Sequence, residues 1–309
     1  MPRRLLATLL CLAATAGCAD RAGASGFTGG RLDVVTSFYP LQFLSERVGG
    51  DAVTVTTLTK PGAEPHDVEL NPRQVGDVAD AGLVVYLRGF QPAVDDAVAL
   101  EAKDRAFDAA SVVRLLPIDE GADRRHEPGE ERAETAGGMD PHVWLDPVRF
   151  ATIGDRLAEH LGQADPAHAA DYTARAAAVH TELDALNTEF VTKLRHCRRH
   201  ELVTSHSAFN YLATRYGLTQ VGITGISPDA EPSPQRLAAV AAEARATGAT
   251  TIFFETLVSP KVAETIAGEI GARTAVLDPL EGLTEPGTDY FSVMRANLAA
   301  LTSALGCDS

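Results

Sequence analysis

Residues 166–195 read PAHAADYTARAAAVHTELDALNTEFVTKLR. After Pro166 this stretch holds no Gly and no Pro, and Ala176-Ala177, Val179, Leu183, Leu186, Phe190, Val191 and Leu194 recur at helical spacing. At 1.5 Å per residue, a helix over the whole stretch spans about 45 Å, long enough to run past two lobes as a spine. A packed hairpin broken near Ala185 is the other arrangement that the pattern allows. The uninterrupted apolar stripe favours one helix.

Outward from this stretch, strands alternate with helices on both sides. Before it, short runs rich in Val, Ile, Thr and Phe predict strands over Leu32–Phe38, Val53–Leu58, Leu83–Leu87 and Val112–Leu115. Helical patterns over Pro40–Val48, Pro72–Asp80 and Pro92–Leu100 lie between them, each with Pro at its start, where a missing N–H costs nothing. After it, strands are expected at Leu202–Ser205, Thr219–Ile223, Thr251–Phe254 and Thr274–Leu277. The matching helices are Ala208–Tyr216, Pro234–Thr247 (with Ser233 as N-cap), Pro260–Ile270 and Asp289–Leu305. Such alternation predicts an α/β fold of two lobes, each a four-stranded, mainly parallel sheet flanked by helices. The expected division is an N-terminal lobe over 31–165, the connecting helix over 166–195 and a C-terminal lobe over 196–309. Within the first lobe, residues 119–138 are charged, contain Gly and lack apolar periodicity, so they read as an exposed mobile loop.

The N-terminus reads as a targeting signal. Arg3 and Arg4 precede an apolar run from Leu5 to Ala16, too short to span a bilayer, so residues 1–17 are expected to be a signal peptide. Thr15-Ala16-Gly17-Cys18 is similar to a bacterial lipobox, which makes Cys18 the expected lipidated N-terminus. Residues 18–30, rich in Ala, Asp, Gly, Ser and Thr, read as a flexible tether. The protein is thus expected outside the cytoplasm, held to a membrane by its lipid. The other two mature cysteines, Cys197 and Cys307, either pair in that oxidising setting or remain thiols.

Composition narrows the function. Hydrophobic residues make up 45% and charged residues 22%, with a mean hydropathy of −0.03, as in ordinary globular proteins. The net charge of −15 argues against nucleic acid as a partner.

In open α/β sheets, ligands bind beyond the carboxyl ends of strands. Polar residues gather at four such places. Val53–Leu58 runs into Lys60-Pro-Gly-Ala-Glu64-Pro-His66-Asp67. The strand ending near Leu115 leads through the loop into Asp140-Pro-His142-Val-Trp144-Leu-Asp146-Pro147. Leu202–Ser205 ends on His206, and Thr274–Leu277 ends on Asp278-Pro279. His66, His142, His206 and Asp278 would converge on the cleft between the lobes, and three imidazoles with one carboxylate suit tetrahedral Zn(II). The other histidines lack this setting. His160, His168 and His180 fall on helical patterns, and His126 lies in the mobile loop. His196 and His200 are crowded by Arg195, Arg198 and Arg199, whose charge opposes a dication.

These motifs carry a family resemblance. Val34-Val-Thr-Ser-Phe-Tyr-Pro40, Gly62-Ala-Glu-Pro-His-Asp67, Asp140-Pro-His-Val-Trp-Leu-Asp-Pro147, Thr204-Ser-His-Ser-Ala-Phe209 and Gly225-Ile-Ser-Pro-Asp-Ala-Glu-Pro-Ser-Pro234 resemble solute-binding protein family 9. That family comprises the zinc- and manganese-binding lipoproteins of bacterial ABC importers, and the resemblance covers essentially the whole mature chain. It implies two lobes joined by a long helix with the metal between them, ligands at His66, His142, His206 and Asp278, and a membrane permease as partner of a monomeric binding protein. Zinc members often carry a His-rich acidic loop; this one holds a single histidine, His126. Manganese or another divalent metal is the alternative cargo within the same transport class. A zinc hydrolase, with Glu64 or Glu255 as base, is the alternative of different class. It needs an open coordination position, which four protein donors would close. Glu255 is expected beside the site, bonding a ligand, and Glu64 near it; no enzymatic activity is expected.

Overall fold

The computed structural model describes residues 26–118, 138–283, 285 and 287–308. The signal peptide, Cys18, His126 and the loop expected over 119–138, apart from Gly138, lie outside the described residues.

Two sheets form, one from each half of the chain. The first contains β2 (Arg31–Thr36), β3 (Val53–Thr57), β4 (Leu83–Tyr86) and β5 (Ala106–Asp108), parallel and in the order β3-β2-β4-β5. The second contains β6 (Glu201–Thr204), β7 (Thr219–Gly222), β8 (Thr251–Phe254) and β9 (Arg273–Val276), all parallel and in the order β7-β6-β8-β9. Both sheets therefore reverse direction beside their first strand, which is where α/β folds open a crevice for ligands. Helices α1 (Tyr39–Gly49), α2 (Pro72–Asp80) and α3 (Pro92–Glu101) cross over in the first lobe. Helices α6 (Asn210–Tyr216), α7 (Pro234–Thr247), α8 (Lys261–Ile270) and α9 (Tyr290–Leu305) belong to the second. Ser233 caps α7 as expected, its Oγ accepting the Arg236 N–H.

Two strand assignments differ from the sequence reading. The fourth parallel strand of the first lobe is Ala106–Asp108 rather than Val112–Leu115. The Asp108 carboxylate accepts the Ala110 N–H and starts a 3-10 turn over Ala109–Val112, which takes the chain off the sheet. A short strand β1 (Phe27–Thr28) also pairs antiparallel with Arg31–Leu32, making a fifth strand inside the stretch expected to be tether. Gly29 and Gly30, with φ of 60° and 83°, supply the left-handed pair that a two-residue hairpin requires.

Between the lobes runs α5 (Ala169–Leu194), an unbroken helix of 26 residues and so about 39 Å long. Tyr172, Ala176, Val179, Leu183, Leu186, Phe190 and Leu194 form its buried stripe. Its first half holds the N-terminal lobe, where Arg175 donates to the last carbonyls of α1, Val48 O at 3.0 Å and Gly49 O at 2.9 Å. Its second half holds the C-terminal lobe, where Phe190 stacks on Tyr216 and Glu189 pairs with Arg295 of α9. A helix absent from the sequence reading, α4 (Pro147–Ala164), packs along α5. Phe150, Ile153, Leu157 and Leu161 make its buried face, and Asp146 caps it by accepting the Val148 and Arg149 N–H groups.

One apolar core runs through both lobes and the spine, from Leu32 and Phe38 through Leu183 to Leu202, Tyr290 and Leu305. The outer face of each sheet buries a smaller cluster of its own, around Val84 and Val98 in the first lobe and around Val240 and Ile252 in the second. Cys197, just past α5, is disulfide-bonded to Cys307 beyond α9. Arg199 serves two helix ends, donating to Gly248 O just past α7 and to Ala304 O in the last turn of α9. No helix among the described residues is long and apolar enough to cross a membrane.

Candidate metal centre

His66, His142, His206 and Glu281 meet between the lobes, one donor atom of each lying within 4.8 Å of the others, and all four are buried. The three Nε2 atoms surround a single carboxylate oxygen. Glu281 Oε1 lies 3.4 Å from His66, 3.1 Å from His142 and 3.3 Å from His206. A tetrahedron's edge is about 1.6 times its centre-to-corner distance, so Zn–N and Zn–O bonds of about 2.0–2.1 Å require donor separations of about 3.3–3.4 Å. The three separations from Glu281 Oε1 to the histidines stand near that spacing. Glu281 Oε2 is buried without a hydrogen-bond partner, a cost that a cation at the same carboxylate offsets.

Each donor is aimed by its neighbours. His66 lies in the loop after β3, where Gln91 Nε2 donates to Pro65 O at 3.0 Å and to Thr59 Oγ1 at 2.9 Å. Glu64 Oε1 accepts the His66 N–H at 3.0 Å, and Phe90 stands edge-on to the imidazole. His142 follows Asp140, whose Oδ1 accepts the His142 backbone N–H at 2.9 Å and meets Nδ1 at 2.8 Å. The ends of the loop that precedes this segment are clasped, since Ile118 N donates to Gly138 O and Asp140 N to Leu116 O. From the other lobe, the Tyr211 hydroxyl donates to Asp140 O and accepts the Leu116 N–H. His206 lies just beyond β6, its carbonyl accepting from Thr204 Oγ1 and Gln220 Nε2. Glu255, at the end of β8, meets His206 Nδ1 at 2.7 Å and accepts from Ser205 Oγ at 2.7 Å. Carboxylates on Nδ1 of two histidines leave Nε2 as the metal-facing atom, the usual outer-shell arrangement of His-ligated metals.

The charges fit the same picture. His206 is raised well above the ordinary imidazole range, because Glu255 and Glu281 outweigh the opposing effect of burial. His142 is raised for the same kind of reason, burial being overcome by Asp140 and Glu281. His66, with no such pair of carboxylates, is lowered by burial despite Glu281. Glu281 stays well below the usual carboxylate range, burial being overcome by His206, His66 and His142. Burial and the charge of Glu281 push Glu64 up to about 8. Without metal, His142 and His206 therefore face carboxylates at both nitrogens and hold protons. A dication entering at Nε2 takes the place of those protons.

Three of the four residues expected at the site are brought together, and Asp278 is not among them. Its Oδ1 accepts the Leu280 N–H at 2.7 Å and its Oδ2 accepts from Thr256 Oγ1 at 2.9 Å, so the carboxylate is engaged by its own turn and by the segment after β8. The turn delivers Glu281 instead. Glu255 stands behind His206, and Glu64 Oε1 lies 4.0 Å from His66 Nε2. The other histidines among the described residues lie elsewhere: His168 and His180 pair with Asp165 and Asp155, His160 contacts Phe107, and His196 and His200 are exposed.

The chain is similar to proteins of known function. Residues 34–304 match the family model described as zinc-uptake complex component A, periplasmic. The chain is 36% identical over 305 residues to the zinc-binding lipoprotein AdcA of Streptococcus pneumoniae serotype 4, covering 96% of this chain and 60% of that protein. It spans 56% of the AdcA of Streptococcus pyogenes serotype M3, so it corresponds to little more than half the length of these relatives. It is 33% identical over 310 residues to the high-affinity zinc uptake system protein ZnuA of Bacillus subtilis strain 168, covering 97% of this chain and 96% of that one. Among solved structures, Zn(II)-bound AdcA from S. pneumoniae superposes with a TM-score of 0.75 at 35% identity, over 89% of this chain and 58% of that one.

Proposed function

The chain belongs to the zinc-uptake complex component A family, and from that premise we propose that it captures Zn(II) outside the cytoplasm and delivers it to the permease of an ABC importer. The observation that carries this reading is the set of three Nε2 atoms at 3.1–3.4 Å from one buried carboxylate oxygen. We assign His66, His142, His206 and Glu281 as the zinc donors, with Asp140 and Glu255 orienting two of the rings and Glu64 beside the third. Zinc is the cargo. The three nitrogen donors favour zinc over the harder manganese, which prefers oxygen.

The family is one of transport binding components rather than enzymes. The site supports the same reading, since four protein donors leave no open position for a water nucleophile. Its buried donors are reached between two lobes that share one core, and zinc passes on with protons returning to His142 and His206. We assign Cys18 as the lipid-bearing N-terminus; its lipobox-like setting and the lipoprotein relative support that reading.

Competitive titration of zinc and manganese against a chelator tests the assignment. One zinc per chain, bound much more tightly than manganese, is expected. Glu281→Gln should weaken zinc more than a hundredfold, beyond the 10–100-fold cost typical of outer-shell changes. Equal affinity for the two metals, or full zinc affinity in Glu281→Gln, would remove the assignment.

A further inference from the structure

Glu281 reaches the cluster through a turn with an unusual backbone. Leu280, fully buried, has a φ of 61°, the only positive φ at a non-glycine position among the described residues. The left-handed region crowds Cβ against the backbone, so a leucine remains there only when its surroundings hold it. The peptide unit between Pro279 and Leu280 is held at both ends. Its N–H donates to Asp278 Oδ1 at 2.7 Å, and its C=O accepts the indole N–H of Trp144 at 2.7 Å. The orientation of that peptide plane determines φ at Leu280, and hence where the next side chain, Glu281, points.

The anchors of this peptide come from two directions. Asp278 is fixed by the buried Asn297 of α9, which accepts the Asp278 N–H at 2.9 Å and donates to its C=O at 2.7 Å. Trp144 comes from the segment that carries His142, and its carbonyl accepts the Tyr290 hydroxyl at 2.7 Å. Its ring lies 5.2 Å from the His142 ring. The tryptophan thus ties the His142 segment to the Glu281 turn across the cleft.

We propose that Trp144 is a positioning residue for the metal site: its indole N–H holds the Pro279–Leu280 peptide in the strained orientation that aims Glu281 at the three histidines. The inference rests on the assignment of Glu281 as the fourth donor. Without the N–H, Leu280 relaxes toward negative φ and Glu281 swings from the cluster. With glycine at 280 the left-handed conformation carries no Cβ penalty, so the pin is no longer needed.

Trp144 is the only tryptophan of the chain, so biosynthetic replacement by β-(3-benzothienyl)alanine removes its N–H while keeping the bicyclic volume. Zinc affinity of the full-length protein should fall roughly tenfold, the factor that matches a left-handed penalty at a non-glycine residue. Trp144→Phe should show the same loss, with circular dichroism checking the fold. Adding Leu280→Gly to Trp144→Phe should restore most of the affinity. In a Glu281→Gln background the indole replacement should change affinity less than about twofold, because both changes remove the same donor. An undiminished affinity with the N–H removed would overturn the proposal. So would the same tenfold loss in the Glu281→Gln background, or no recovery with Leu280→Gly. If Glu281→Gln alone leaves zinc affinity intact, the four-donor assignment itself falls.

Discussion

The two lobes share a strand order but deliver their donors differently. In the C-terminal lobe His206 stands at the end of β6, braced by Glu255 at the end of β8, the pair of strands at which the sheet reverses, while Glu281 lies in the turn after β9. In the N-terminal lobe His66 and His142 hang on long segments after β3 and β5, and His66 is the most exposed donor at 8%. A strand end is fixed by its ladder. A loop is only as fixed as the side chains that brace it, here Gln91 and Glu64 for His66 and Asp140 for His142. His206 is therefore pre-set by its sheet, whereas His66, His142 and Glu281 depend on the side chains that brace their segments.

The largest test of this contrast concerns the disulfide, which ties only the C-terminal lobe. Its sequence separation is 110 residues, and in the chain-entropy model opening such a loop costs about 4–5 kcal/mol. Reduction should lower the melting temperature by about 7–10 °C in scanning calorimetry. Zinc affinity should barely move, since Cys197 precedes β6 while His206 follows it. An unchanged melting temperature would show that the staple carries no stability.

The next effect separates the donors. His206→Ala should weaken zinc by more than a hundredfold, whereas His66→Ala should cost about tenfold less, because water can replace a loop donor at the more exposed position. Chelator competition on both variants decides, and the reverse order would break the contrast between strand-end and loop donors.

Acidification comes third. The raised pKa values of His142 and His206 mean that, without metal, both bind protons up to and above the ordinary imidazole range. Zinc must displace those protons, so affinity rises with pH and falls as pH drops; His66, lowered by burial, adds little. Between pH 7.5 and 5.5, release of one to two protons per zinc makes the loss about a hundredfold to ten-thousandfold. Calorimetry in buffers of different ionisation heat should count one to two protons released per zinc near neutral pH.

The smallest effect is the most discriminating about the turn. Asp278→Asn keeps an oxygen that can accept the Leu280 N–H, so it should cost zinc less than about tenfold. A loss as large as that of Glu281→Gln would make Asp278 a donor after all.

Particular residues show what could be read from sequence. The spine was legible because its apolar stripe lacks Gly and Pro, and His66 and His206 because each followed a strand; His142 was legible from its Asp140–Pro147 motif, since Val112–Leu115, the strand expected before it, is not one. Helix α4 carried its own signal, Asp146 before Pro147 and then Phe150, Ile153, Leu157 and Leu161, and its start overlaps the Asp140–Pro147 motif. β5 was hidden by its length of three residues beside a more strand-like Val-Val run. Asp278 and Glu281 lie in the same turn, and sequence position favoured the carboxylate nearer the strand. Asp followed by Pro is itself a turn signal, and such an aspartate tends to spend its oxygens on the local backbone. Which carboxylate faces the cleft depended on the φ of Leu280, and that in turn on a hydrogen bond from Trp144, 135 residues earlier in the chain. No local pattern encodes such a contact.

Anomalous diffraction at the zinc edge from crystals of the zinc-loaded protein tests the central claim most directly. A single strong peak should lie between the lobes, about 2.0–2.2 Å from Nε2 of His66, His142 and His206 and from a carboxylate oxygen of Glu281. A peak bonded to Asp278 with Glu281 turned away, or zinc bound outside this cluster, would contradict it.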